Sequence, residues 1–142
     1  PGTAPSGALL DNHQGFGRVN LDRSFKRVVA AIEGPGLATG QNSTFTINVP
    51  TANKTLRIVM AYSDFPGDTL VNNLNLVAND PTGKGFVGNQ AESGGGTLAL
   101  DKTNNVKVIQ VKNAKKRNWT INAIASNVPA GPQDFAVAVV LV

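Results

Sequence analysis

The chain has 142 residues, a formal net charge of +4 at pH 7 and no cysteine. This length fits a single domain, and the lack of cysteine excludes disulfide bridges, Cys-based zinc sites and thiol catalysis. Charged residues make up only 15% of the chain, well below the usual quarter, and asparagine replaces them with sixteen copies. No apolar run approaches the ~20 residues of a transmembrane helix, so the sequence predicts no membrane-spanning segment.

Short apolar segments separated by Gly, Pro and Asn predict an all-β fold along most of the chain. Asn favours turns, whereas Val and Thr favour strands. The predicted strands are, in order, 27–33, 44–49, 55–62, 74–77, 85–87, 106–111, 119–124 and 135–142. Eight short strands at this spacing are typical of sandwiches and barrels.

Two glycine-rich segments carry separate expectations. Gly34, Pro35 and Gly36 are expected to end the first strand. The long loop 89–105 contains the run 94–96 of three glycines, and we expect it to be mobile.

The residues offer little for catalysis. His13 is the only histidine, and it lies beside Asp11 in a segment without periodicity, so an exposed loop histidine is favoured over a general base or metal ligand. One histidine and no cysteine also argue against zinc.

Two groups of basic residues suggest a binding surface. One comprises Lys112, Lys115, Lys116 and Arg117, followed by Trp119, and the other comprises Arg18, Arg23, Lys26 and Arg27. Such clusters can attract acidic partners, but they are also common in solvated turns that block edge pairing of strands. A single Trp beside one basic hairpin is a poor signal for nucleic acid, so no nucleic-acid partner is predicted.

Three separated blocks resemble one family. Residues 12–21 (NHQGFGRVNL) are similar to the "QGWGRVNL" segment that ends the catalytic domain of subtilisin-like serine proteases. Residues 60–64 and 70–77 resemble the "VWSD…LVNDLDLVV" block of a β-barrel that follows this domain in some members. Residues 104–106 and 125–135 resemble that barrel's "NNVE" and "NVPxGPQxF" elements, in the same order.

The resemblance implies an eight-stranded antiparallel jelly-roll β-sandwich, similar to the P-domain of proprotein convertases, at 27–142, preceded by a tail of the protease domain at 1–26. The family's catalytic Asp, His and Ser come from segments upstream, so this chain is expected not to be an enzyme, although its parent would be a secreted serine endopeptidase. Gln14, Phe16 and Arg18 would dock on the catalytic domain and stabilise it.

Two functions follow from the resemblance and the basic clusters. The first is an accessory domain that stabilises the protease and shapes substrate access, and its partner is the catalytic domain. The alternative is a module that binds a protein or polymeric substrate, or a cell surface, through the hairpin 112–119 and the loop 89–105.

Calcium is the one cofactor that the sequence suggests. Asp64, Asp68 and Asp101 lie in or near turns, and calcium takes carboxylate and carbonyl oxygens. Some relatives of the barrel bind calcium, but Asn73 and Asn75 stand where the family carries acidic residues, which removes two charges. A calcium site at the three aspartates and an ordinary role in turns both stay open.

Overall fold

The computed structural model describes residues 21–90 and 99–142. Within these ranges a short helix, α1 (Leu21–Lys26), precedes eight strands. The strands are β1 (Val28–Leu37), β2 (Asn42–Val49), β3 (Lys54–Ala61), β4 (Asn73–Asn79), β5 (Gly85–Val87), β6 (Val106–Ala114), β7 (Arg117–Asn127) and β8 (Gln133–Leu141). The predicted all-β class is confirmed, and every predicted strand overlaps an observed one. No helix in the described ranges has the length and apolar character needed to cross a membrane.

The strands form two antiparallel four-stranded sheets. The first sheet has the order β1-β8-β3-β6 and the second has the order β2-β7-β4-β5. The pairing is nested, because β1 pairs with β8, β2 with β7, β3 with β6, and β4 with β5. The two sheets pack as a sandwich around one hydrophobic core.

Alternation along the strands produces the core. In β3, Leu56, Ile58 and Met60 are fully buried, while Arg57 between them is exposed. From the opposing sheet, Trp119 of β7 is also fully buried. Complete burial of each such side chain contributes on the order of 1.5–3 kcal/mol, so the inner faces dominate the stability of the sandwich.

The outer faces of the two sheets differ in chemistry. The second sheet presents mainly hydroxyl and amide side chains, namely Thr44, Thr46, Asn48, Asn73, Asn79, Asn118, Thr120 and Asn122. The first sheet instead presents small apolar side chains, including Ala31, Ala61, Ala136 and Ala138, together with charged ones such as Glu33 and Arg57. Much of the asparagine excess therefore lies on one side of the sandwich.

The expectation that residues 34–36 end the first strand is wrong. β1 continues to Leu37, with a shift in pairing register against β8 between Gly34 and Leu37. Pro35 is tolerated because β1 is an edge strand, where a missing backbone N–H interrupts no sheet. Gly34 lies directly against the ring of Phe135, which leaves no space for a side chain.

The antiparallel topology gathers the connections at two ends of the sandwich. One end, called the loop end, holds the connections 38–41, 62–72, 88–105 and 128–132. The other end, called the basic end, holds the connections 50–53, 80–84 and 115–116 together with the junction of α1 and β1. The predicted mobility of the loop 89–105 concerns a segment whose central part, 91–98, lies outside the described residues.

Replacing Gly34 with alanine is expected to destabilise the domain by about 1–3 kcal/mol, because the new methyl group meets the ring of Phe135. Urea denaturation of the wild type, Gly34→Ala, Phe135→Leu and the double variant measures the effect. In the double variant the two costs should be clearly less than additive, since the smaller leucine removes the clash. Strict additivity would contradict this contact.

Candidate functional site

The buried side chain of Asn72 links two loops at the loop end. Asn72 is completely buried, and its Nδ2 donates hydrogen bonds to the backbone oxygen of Ala130 and to Oε1 of Gln133, the latter at 2.8 Å. Its Oδ1 accepts a hydrogen bond from the Ala130 N–H at 3.1 Å. The Nε2 of Gln133 donates in turn to the backbone oxygen of Ser63 at 3.1 Å. Asn72 therefore joins the connection 62–72 to the connection 128–132.

Tyr62 provides a second link at the same end. Its hydroxyl donates to the backbone oxygen of Asn72 at 2.9 Å and accepts a hydrogen bond from the N–H of Leu74 at 3.3 Å. Burial raises the pKa of Tyr62 to about 12, so the phenol remains a neutral donor at physiological pH. The Nδ2 of Asn105 donates to the backbone oxygen of Tyr62 at 2.9 Å, which brings β6 into the same network.

Asp64 closes the loop 62–72 on itself. Its two carboxylate oxygens accept hydrogen bonds from the backbone N–H groups of Val71 and Asn72, at 2.7 and 2.8 Å. Both oxygens of this predicted calcium ligand therefore accept a hydrogen bond from the backbone. Asp68, the second predicted ligand, is exposed in the same loop.

Asp101, the third predicted ligand, is surrounded by hydrogen-bond donors. Its oxygens accept hydrogen bonds from the Nδ2 atoms of Asn89 and Asn104 and from the N–H of Thr103. Burial alone would raise the pKa of Asp101, but these hydrogen bonds and the charge of Lys107 outweigh it and lower the pKa to about 2. The carboxylate is thus ionised and already satisfied.

Lys107 is a buried lysine that the sequence reasoning missed. Its side chain has no solvent exposure, and its Nζ lies 2.8 Å from the backbone oxygen and 3.2 Å from Oδ2 of Asp101. Burial lowers the pKa of Lys107, and the neighbouring Asp101 carboxylate opposes this shift. The alternation of β6 could have predicted its burial, because Lys107 shares its strand face with the buried Ile109 and Val111.

Asp64 and Asp101 thus each accept more than one hydrogen bond from groups of the protein itself. An ammonium group adjoins one carboxylate, and backbone N–H groups occupy both oxygens of the other. Within 21–90 and 99–142, no three His, Cys, Asp or Glu side chains come together as a potential metal site. Calcium binding at Asp64, Asp68 and Asp101 stays a prediction.

The basic end brings together two turns. Lys115, in the β6–β7 turn, donates hydrogen bonds to Oδ2 of Asp80 at 2.8 Å and to Oγ1 of Thr82 at 2.7 Å, both in the β4–β5 turn. The N–H groups of Thr82 and Lys84 also donate to Oδ1 of Asp80. Burial would raise the pKa of Asp80, but these hydrogen bonds and the Lys115 ammonium hold it well below its usual range.

The expectation that Trp119 forms part of a binding surface is wrong. Trp119 is completely buried, because it points into the core from β7 and packs against Phe86 with ring centroids 5.6 Å apart. Its Nε1 donates to the backbone oxygen of Lys115 at 2.9 Å. Trp119 therefore supports the basic turn from beneath, while Lys116 and Arg117 beside it are exposed, as are Lys112 and Lys115.

The predicted docking residues Gln14, Phe16 and Arg18 lie outside the described residues, as does His13. The first described element after these residues is α1, and its Leu21 and Phe25 side chains are 65% and 77% exposed.

A comparison with known protein families found no family that matches the chain, and a search of characterised proteins found no matching relative.

Replacing Asn72 with alanine is expected to destabilise the domain by about 2–4 kcal/mol, because it removes three hydrogen bonds and leaves buried groups of Ala130 and Gln133 unpaired. The exposed Asn127 provides a matched control, and Asn127→Ala should change the free energy of unfolding by less than about 0.5 kcal/mol. Chemical denaturation of both variants measures the difference. Equal effects would show that the network at the loop end does not depend on Asn72.

The low pKa of Asp101 predicts acid sensitivity. A carboxylate whose pKa is about 2 in the folded state, against 3.8 in the reference state, stabilises the fold above the higher value, and this contribution is lost as the pH falls toward the lower. The loss amounts to roughly 2 kcal/mol. The free energy of unfolding of Asp101→Asn should therefore fall less steeply than that of the wild type between about pH 4 and pH 2. Identical slopes would contradict the shifted pKa.

Proposed function

We propose that residues 27–142 form a non-catalytic, jelly-roll accessory domain of a secreted subtilisin-like serine protease, with residues 1–26 as the tail of the catalytic domain. In this proposal, peptide hydrolysis belongs to the preceding domain. The accessory domain acts by packing, which stabilises the protease and shapes substrate access.

One observation carries the proposal. The separate blocks that resemble the protease-associated barrel supply the residues that contact one another at the loop end. Asn72 of the second block contacts Ala130 and Gln133 of the third, and Asn105 of the third block contacts Tyr62 of the second. A chance resemblance in an Asn-rich chain has no reason to fall on the residues that hold the loops together.

The strand pairing supports the jelly-roll part of the proposal. A jelly roll wraps four nested antiparallel pairs into two sheets, and the pairs β1–β8, β2–β7, β3–β6 and β4–β5 follow that order.

The outer face of the first sheet is the surface that best suits packing on a neighbouring domain. Ala138 lies opposite Ala31 on one side and Val59 on the other, and Ala136 lies opposite Ala61. These side chains, together with the charged Glu33, line an open and largely apolar groove of about 580 Å³. Contiguous exposed apolar surface of this kind marks interaction sites on soluble proteins.

The path of the chain favours the preceding domain as the occupant of this groove. The polypeptide enters the sandwich through β1, which is the edge strand of the first sheet. Leu21 and Phe25 of α1 and Val28 of β1 are further exposed apolar side chains, and they lie where the chain enters the sandwich. A covalent link gives the two domains a high effective concentration, so a modest interface stabilises both.

A second function, binding to a polymeric substrate or surface, is favoured by a different observation. Exposed cations concentrate at the basic end, whereas the groove lies on the first sheet, so the two functions use different surfaces.

Deleting residues 27–142 from the parent protease is expected to lower its thermal stability or its yield, because the catalytic domain loses its packing partner. Activity remaining after incubation at increasing temperatures measures the effect. An equally stable truncated protease would contradict the stabilising role, and peptidase activity in the purified 142-residue chain would overturn the non-catalytic assignment.

A matched pair of variants in the parent locates the interface. Ala138→Lys places a charge on the groove and should reduce thermal stability about as much as the deletion does, whereas Thr46→Lys on the outer face of the second sheet should not. Melting of the isolated domain shows whether Ala138→Lys damages the fold itself. Equal effects of the two substitutions in the parent would exclude the groove as the interface.

A further inference from the structure

Most of the described positive charge of this protein lies at the basic end. Exposed cations in the turns and strand ends there are Lys26, Arg27, Lys54, Lys84, Lys112, Lys115, Lys116 and Arg117. The described acidic residues at this end are Asp22 and Asp80, which pair with Lys26 and Lys115 respectively. The basic end therefore carries a clear excess of positive charge.

Internal contacts fix the backbone of the β6–β7 turn and one of its cations, Lys115. Asp80 and Thr82 fix the Nζ of Lys115, and the indole of Trp119 holds its backbone oxygen. The N–H of Asn53 donates to the backbone oxygen of Ala114 at 3.1 Å, which ties the β2–β3 connection to the same turn. A binding surface with fixed turns loses little conformational entropy when a ligand binds.

The cations adjoin an uncharged face of amides and hydroxyls. On the second sheet, the Nδ2 of Asn48 donates to Oδ1 of Asn118 at 2.9 Å, directly beside Arg117. Further along the same face, Oγ1 of Thr44 donates to Oδ1 of Asn122 at 2.7 Å. β2, β4 and β7 contain no charged residue apart from Arg117, so this face presents neutral polar groups.

The combination fits one class of polymer. Lysine and arginine pair with carboxylates or sulfates, whereas amide and hydroxyl side chains donate to and accept from sugar hydroxyls. Single-stranded nucleic acid would need several exposed aromatic side chains for base stacking. At the basic end Phe86 and Trp119 pack against each other, which leaves Phe25 of α1 as the exposed aromatic side chain there among the described residues. An acidic polypeptide would use the cations but would have little use for a face of hydroxyls and amides.

We propose that the basic end and the adjoining outer face of the second sheet bind an acidic polysaccharide. This inference rests on the second of the two proposed functions and does not depend on docking to a protease domain. The acid groups of the polymer would lie on Lys84, Lys116 and Arg117, and its hydroxyls would lie along the amides and hydroxyls of β2 and β7.

Titration of the purified chain with polygalacturonate, followed by calorimetry at low and moderate salt, tests the proposal. Binding should weaken as salt rises, because charge pairs at the surface are screened. Lys84→Glu combined with Lys116→Glu should weaken binding by at least about tenfold. The control is Lys102→Glu, an exposed cation at the loop end, which should leave binding unchanged. No binding, or equal loss in the control, would overturn the proposal.

Two further comparisons separate the polysaccharide from other polyanions. Poly-L-glutamate and single-stranded DNA should bind more weakly than polygalacturonate at equal charge concentration, and equal or tighter binding of either would reassign the surface. Asn122→Ala, in the middle of the amide face, should weaken polygalacturonate binding by several-fold and leave poly-L-glutamate binding unchanged. If Asn122→Ala affects neither polymer, the amide face has no part in binding. Thermal melting of each variant confirms that it is folded.

Discussion

The loop end of the sandwich depends on one constraint, which is that a buried polar group must find a partner inside the protein. Four connections lie at this end, and the two that Asn72 joins bring backbone groups of Asn72 and Ala130 together with buried side chains. The carboxamide of Asn72 meets this constraint, since it offers both donors and an acceptor to a neighbouring connection. Among the described residues no buried side-chain nitrogen or oxygen lacks a partner. The described parts of these loops are therefore held together by a satisfied hydrogen-bond network.

Buried charged groups at both ends of the sandwich also have partners inside the protein, but the buried charge has a different sign at each end. At the loop end, Lys107 is withdrawn completely from solvent and fixed on Asp101, so its charge is not available to a ligand. At the basic end it is the carboxylate of Asp80 that is buried, and the Lys115 ammonium paired with it remains half-exposed. The two ends of the sandwich thus bury opposite charges, which leaves the basic end positive at its surface.

Strand positions could be predicted from the sequence because alternation and turn residues are local signals. Pro35 misled that reasoning, since only the position of β1 at a sheet edge explains why a strand passes through it. Trp119 was misplaced for a similar reason, because its neighbours in sequence are basic but its neighbours in space are core residues. The sequence indicated that the aspartates of the loop end are candidate ligands. It did not show that Asp64 accepts hydrogen bonds from backbone N–H groups, or that Asp101 accepts them from side-chain amides and pairs with the Lys107 ammonium group. Partners far apart in sequence decide each of these cases, and a single sequence does not record them.

The nested pairing also has a consequence for how the chain acquires its structure. β4 and β5 are separated by one short turn, whereas β1 must wait for β8, which follows at the opposite end of the domain. Loop closure between distant segments is slow, so folding should proceed outward from the middle of the chain. During synthesis β1 leaves the ribosome first, yet it finds its partner last. Until then its open edge and the apolar side chains beside it are exposed to other chains, and Pro35 in this strand limits how well a foreign strand can pair with it.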